Sequence, residues 1–382
     1  MTERGRNHRN PKMQNETPHS LIPASSLARK LTLALALAAA LRASAGRAHA
    51  QGCVALKEIG AQSVPIDGVT ATPGQDKWDL TETYEHFRSY LDYIGSHNNT
   101  PARTAASNQV INVVDQFDTS LTYDVDLSDS VSFDLPFFKA TRSSLYEHDG
   151  KNRYKTRASG IGDARGTFDR WLINPAKNPR GNVSVGLGIS APTGKSNVKD
   201  YFHTKTGLVY HNVDQSIQPG SGGWGYIFEG SAYYRITATT SLYANGFYMA
   251  TPQDTNGTRT QSAITSETAY NSIEDQYELR GGVSQQVVHF QHGILSASLG
   301  GRWEGVPSLD LIGRSDGFRR PGYVLSVEPG VSFTLPHDSL SLSVPVVEYI
   351  NRTQSYADML TGGHGDAFFA KFLVLITYSH RW

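Results

Sequence analysis

Beyond residue 76 the chain alternates apolar and polar residues over stretches of about ten residues or more, and this period of two constrains the fold more than any other feature. In residues 323–335, YVLSVEPGVSFTL, one parity carries Tyr323, Leu325, Val327, Pro329, Val331, Phe333 and Leu335; the other carries Val324, Ser326, Glu328, Gly330, Ser332 and Thr334. Residues 117–127 set Phe117, Leu121, Tyr123, Val125 and Leu127 against Asp118, Ser120, Asp124 and Asp126. The pattern recurs in residues 183–191, 224–236, 277–287, 295–303, 340–346 and 372–382. Such stretches are about twice the length of a typical globular strand and suit strands tilted across a bilayer.

After residue 50 no apolar run approaches the roughly 20 residues of a spanning helix, so a membrane would be met through strands. The connections support that reading. Short links near residues 127–130, 174–182, 238–241, 288–293 and 336–339 alternate with mostly longer ones at 95–108, 147–153, 193–223, 252–275, 306–322 and 351–366. The expectation is an all-β fold, a closed antiparallel transmembrane barrel of about 12 strands with short periplasmic turns and long extracellular loops. Closure follows because an open edge in hydrocarbon leaves N–H and C=O groups unpaired.

The start of the chain reads as an export signal. Arg29 and Lys30 precede the apolar run at 31–41, and Ala48-His49-Ala50 makes an A-x-A cleavage site. The chain divides into residues 1–50, a signal peptide; 51–76, a periplasmic extension or a plug; and 77–382, the barrel. The leader before Arg29 is long, which makes Met13 an alternative start. Cys53 follows the cleavage site, but Ala50-Gln51-Gly52 lacks the Leu of an acylation signal.

With 35 basic and 35 acidic residues the chain has no net charge to recruit nucleic acid, and one Cys among 382 residues excludes an intrachain disulfide. GISAPTGKS, residues 188–196, spaces its glycine wrongly for a phosphate-binding loop, and no helical pattern follows it. None of the 13 His falls in HExxH, and neither a metal nor a cofactor motif stands out. A membrane-embedded hydrolase needs a Ser–His pair near the extracellular rim; the strand histidines are His86 and His380, and the chain is not read as an enzyme.

By parity the polar face directs Asp163, Arg165, Glu229, Arg235, Glu278, Arg280, Arg302, Glu304, Glu328 and Lys371 into the lumen, joined by Asp118, Asp134, Arg142 and Arg157. Acids and bases in near balance either cross-link a plug or set a field across a wet path with weak charge preference. Two functions follow: a pore for passive passage of small solutes, or a non-conducting barrel acting as surface receptor, adhesin or structural protein. Of the loops, residues 193–223 and 306–322 either fold inward as a constriction or lie exposed, with Arg314, Arg319 and Arg320 turned to lipopolysaccharide phosphates.

FLVLITYSHRW, residues 372–382, resembles the terminal signal that bacterial barrel assembly machinery reads: terminal Trp382 with Tyr378 and Ile376 at alternate positions, His380 departing from the pattern. GIGDARGTFDRWL (160–172) followed by GNVSVGLGISAPTGKS (181–196) resembles the bacterial outer-membrane family called putative meta-pathway of phenol degradation proteins, or simply transporters. DQSIQPGSGGWG (214–225), SDGFRRPGY (315–323) and HGDAFFA (364–370) are similar to that family's loop-to-strand junctions. The resemblance implies an outer-membrane barrel, with hydrophobic or aromatic compounds as cargo and no catalytic residues.

Overall fold

The structure, a computed structural model, describes residues 77–260, 266 and 268–382. The signal peptide, Met13, Cys53 and residues 51–76 lie outside the described residues. The wall consists of β1 (Trp78–Ile94), β2 (Ile111–Asp124), β3 (Asp129–Ser144), β4 (Tyr154–Ile161 and Ala164–Trp171), β5 (Gly181–Ala191), β6 (Gly225–Arg235), β7 (Thr240–Ala250), β8 (Gln276–His289), β9 (Ile294–Val306), β10 (Gly322–Thr334), β11 (Asp338–Ser343 and Val346–Asn351) and β12 (Ala367–Arg381). Each pairs antiparallel with its sequence neighbour, and β12 pairs with β1, so the sheet is a closed barrel of 12 strands. Short turns crowd one rim and the long loops the other.

Alternation sorts the side chains as a barrel requires. Phe117, Phe133, Phe137, Phe168, Leu187, Ile189, Phe228, Leu279, Leu325 and Phe372 form an exposed apolar band outside. The band is bordered toward the long loops by aromatic neighbours on five successive strands: Tyr248 to Tyr277 (6.4 Å between centroids), Tyr277 to Trp303 (5.3 Å), Trp303 to Tyr323 (6.4 Å) and Tyr323 to Tyr349 (5.9 Å). At the short-turn rim Trp78 packs on Tyr123 at 4.7 Å, with Tyr378 and Trp382 exposed nearby in the seam. The seam includes Trp382 itself, whose N–H donates to Trp78 O (3.0 Å) and whose carbonyl accepts from Lys77 N–H (3.0 Å).

Two wall strands are broken at prolines, which cannot donate to a ladder. Opposite Pro136 of β3, Gly162 interrupts β4; a Cβ there would lie 2.8 Å from the Pro136 ring, and the Gly162 N–H instead reaches Pro136 O at 2.8 Å. The break shifts the inward parity from Thr156 and Ala158 to Asp163, Arg165, Thr167 and Asp169. Arg157 is therefore exposed on the outside, its backbone N–H donating to Asp200 Oδ2 at 2.8 Å; the expected inward Arg157 is corrected by this shift. In β11 the break falls at Pro345.

Of the long loops, residues 192–224 matter most. They carry an outlying hairpin, Lys199–Thr204 paired with Gly207–Asn212, and then a short turn, Gln215–Ile217, capped by Asp214. Val213 and Ile217 are buried with Phe87, Val114, Phe138, Ala140 and Ala158 of the inner wall. The loop thus folds into the mouth, one of the two placements left open for it.

Candidate functional site

The barrel interior holds a charged middle beneath an apolar mouth. In one group, Arg302 Nη2 lies 2.8 Å from Glu278 Oε2 and 2.5 Å from Glu304 Oε2, and Arg280 pairs with Glu328. Register explains the arrangement: Glu278 stands opposite Glu304 and Arg280 opposite Arg302, so attraction runs along diagonals while like charges face one another. Below them Gly282 and Gly300 form the next inward rung, where added Cβ atoms would meet the Tyr243 hydroxyl at 2.8 and 2.5 Å. The missing side chains let Tyr243 lie across both strands.

The second group gathers around Arg165. Its Nη2 contacts Asp118 Oδ2 at 2.5 Å, and its Nε is 4.0 Å from Asp134 Oδ2. Asp169 and Glu229 stand on either side of Gly186 in register. A Cβ on Gly186 would be 2.3 Å from Asp169 Oδ1 and 2.7 Å from Glu229 Cγ, so glycine is what lets these two carboxyl groups meet. Glu85 of β1 faces Arg302, Glu304, Glu278 and Asp118 and links the two groups electrostatically.

Sequence reasoning pointed to Arg165, Glu229, Glu278, Arg280, Arg302, Glu304 and Glu328, and the structure brings all seven into these groups. Glu229 is half-buried and Arg280 is 19% exposed at its side chain, while the other five are buried. The remaining three lie elsewhere. Arg235 is at the short-turn end of β6, and Lys371 is half-buried on β12 in line with Leu373 and Leu375. Asp163, buried at the β4 break, accepts from Gly194 N–H (2.9 Å), Ser221 N–H (2.7 Å) and Ser221 Oγ (2.6 Å), fastening the loop 192–224 to the wall. Glu85 and Asp169 were missed; inward parity signals both once the strand bounds are known.

The expected charge balance does not hold in the middle. Eight acids, Glu85, Asp118, Asp134, Asp169, Glu229, Glu278, Glu304 and Glu328, share the inner wall with three arginines, Arg165, Arg280 and Arg302. The bases that balanced them in sequence are at the rims or outside.

At the mouth, Asp214 accepts two bonds from Arg320 (2.9 and 2.8 Å) and lies 3.6 Å from Arg142 Nη2, which also grips Glu147 at 2.6 Å. Burial works against the Asp214 carboxylate, but Arg142 and Arg320 prevail and hold it well below the ordinary range. The loop arginines are thus engaged inward: Arg319 is buried against Asp310 (2.5 Å), Arg320 binds Asp214, and of the three only Arg314 is exposed. Of the two placements left open for residues 306–322, the one that turns all three arginines outward does not match these contacts. Outside the mouth Phe202 is buried between His148 and His211, with ring centroids at 5.3 and 4.0 Å. Burial lowers both histidine pKa values.

The strand histidines each pair with an aspartate. His86 Nδ1 is 2.8 Å from Asp115, beside the Tyr84 hydroxyl, and His380 Nδ1 is 2.9 Å from Asp338.

No family model and no curated protein matches the chain, so the phenol-pathway label suggested by residues 160–196 is not confirmed. Among solved structures, it is similar to an outer membrane channel from Pseudomonas putida F1, at 13% identity and a TM-score of 0.52, over 82% of this chain and 98% of that one. It also matches the β domain of the Bordetella autotransporter BrkA (10% identity, TM-score 0.44, 81% of this chain and 100% of that one). A toluene transporter from Ralstonia pickettii, TbuX, follows at 9% identity and a TM-score of 0.38, over 82% of this chain and 91% of that one. At these identities the likeness to the Pseudomonas putida channel is one of fold, a closed antiparallel barrel.

Proposed function

We propose that the barrel resides in a bacterial outer membrane and passes small solutes by diffusion, with residues 192–224 as its gate. The observation that carries this reading is the loop itself. Its apolar residues Val213 and Ile217 pack on the inner wall at the mouth, while the attachments at Asp163, Arg142 and Arg320 are polar and separable. A purely structural barrel needs no inward loop fastened in this way. The outward apolar band between aromatic belts supplies the membrane surface, with the long loops extracellular and Trp382, Tyr378 and Ile376 offered to assembly machinery at the periplasmic end. The fold it shares with an outer membrane channel supports the same reading.

Arg165, Glu229, Glu278, Arg280, Arg302, Glu304 and Glu328 line the proposed path, and Arg235 and Lys371 lie toward its ends. The wall they make is polar, so polar solutes suit it better than the hydrophobic or aromatic cargo implied by the family resemblance. For that cargo only the apolar mouth speaks. One observation favours a second reading, a non-conducting receptor or structural barrel: Arg302 and Arg280 each bind acids across strands and cross-link the interior.

Planar-bilayer recording of the refolded protein decides between them. Discrete steps, more frequent after the loop is unfastened by Asp163→Ala, are expected of a gated channel; a folded barrel that carries no current in either form is a closed one.

A further inference from the structure

The four carboxyl groups around Arg165 have too little positive charge. A desolvated carboxylate needs a cation or a hydrogen-bond donor, and Arg165 lies 2.5 Å from Asp118 and 4.0 Å from Asp134. Asp134 is only 1% exposed, yet neither of its oxygens accepts a hydrogen bond, and Asp118 Oδ1 is likewise without a donor. The group around Arg302 offers no surplus: Glu85, Glu278, Glu304 and Glu328 outnumber Arg280 and Arg302. The inner wall is therefore a field of negative sign, and its least satisfied oxygens are those of Asp134.

We propose that Asp118, Asp134, Asp169 and Glu229 bind the protonated amine or guanidine of a small organic cation. Donor chemistry separates this ligand from a metal ion. Among the described residues no three His, Cys, Asp or Glu side chains converge tightly enough for a metal, but carboxylates spread over four strands suit N–H donors that point in several directions. Arg165 already displays that fit, one guanidinium nitrogen 2.5 Å from Asp118. The site rests on the channel reading in one respect, that solvent reaches the lumen.

Isothermal titration of the folded, detergent-solubilised barrel with methylguanidine, at low salt and mildly alkaline pH, tests it. Tetramethylammonium, a cation without N–H groups, is the control. Saturable binding of methylguanidine, weak or absent binding of the control, and loss of binding in Asp134→Asn and in Glu229→Gln are expected, each variant being checked for heat-modifiable migration. Absence of saturable binding overturns the site, as does equal binding of the control or wild-type affinity in both folded variants. Conductance is read on the same preparation. A barrel that binds methylguanidine without conducting removes the channel and keeps the site; one that conducts without binding removes the site alone.

Discussion

At Gly220 there is no room for a methyl group. A Cβ there would lie 2.3 Å from the carbonyl oxygen of Gly194, a backbone atom that cannot swing aside. Gly220→Ala must push the two ends of the loop 192–224 apart, at an overpacking cost of about 1–3 kcal/mol. The expected outcome is faster protease cleavage within the loop while the barrel keeps its heat-modifiable migration. Asp214 gives a sharper test, because Asp214→Ala leaves Arg142 and Arg320 at the mouth without their shared carboxylate. Removing one partner of a buried pair typically costs about 3–5 kcal/mol, so this variant should release the loop more completely than Gly220→Ala does. Equal protease sensitivity in the two variants would show that the ion pairs do not hold the loop.

The elements show which features of this fold a sequence can reveal. Alternation and loop length disclosed the strands because each depends on the local chain alone. Pro136 acts across the sheet: it interrupts β4, its neighbour, and so reverses the parity that placed Arg157 inside. The inward loop was equally hidden, since Val213 and Ile217 look like any loop residues until Phe87 and Val114 are seen beneath them. Sequence also carried the lumen charges well on uninterrupted strands such as β8 and β9, and poorly where a break or a rim decides the outcome, as at Asp163 and Arg235. The loop has its own pH dependence. His148 accepts from His203 N–H at 3.1 Å as the neutral ring, and its lowered pKa arises from burial, against Glu147, Asp149 and Asp200 and with His203. A base with a depressed folded pKa contributes fully above its ordinary value of about 6.5 and loses that contribution as pH falls from there through its lower folded value. Asp214, held low by Arg142 and Arg320, keeps its contribution until pH drops below the ordinary carboxylate range. Limited proteolysis against pH should therefore show the hairpin around Phe202 loosening first, below about pH 6.5, with the mouth attachment following only in stronger acid. Simultaneous cleavage of both parts would refute the separation.

For the whole molecule, closure and charge make the testable statements. The seam between β1 and β12 includes Trp382, which bonds to Trp78 and Lys77; deleting Trp382 should lower the yield of heat-modifiable barrel in the outer-membrane fraction. If the yield is unchanged, the terminal aromatic is dispensable to assembly. An acidic interior predicts cation preference in any current the barrel carries, read as the reversal potential under a salt gradient, and Glu304→Gln with Glu229→Gln should shift that potential toward zero. Anion preference in the wild type would contradict the charge inventory.

Between β8 and β9 the chain has a competing way to pair. A slip of two residues keeps every side chain on its own face and would set Glu278 directly opposite Arg302, replacing a repulsive rung with an attractive one. Local electrostatics thus rewards the wrong register. The native alignment sets Gly282 and Gly300 side by side, which leaves room for the Tyr243 hydroxyl, and is held on either flank by the pairing of β8 with β7 and of β9 with β10. This hairpin is a frustrated segment, and Gly300→Ala, which spoils that seat, should convert it into a kinetic trap that slows refolding more than it lowers the stability of barrels that succeed.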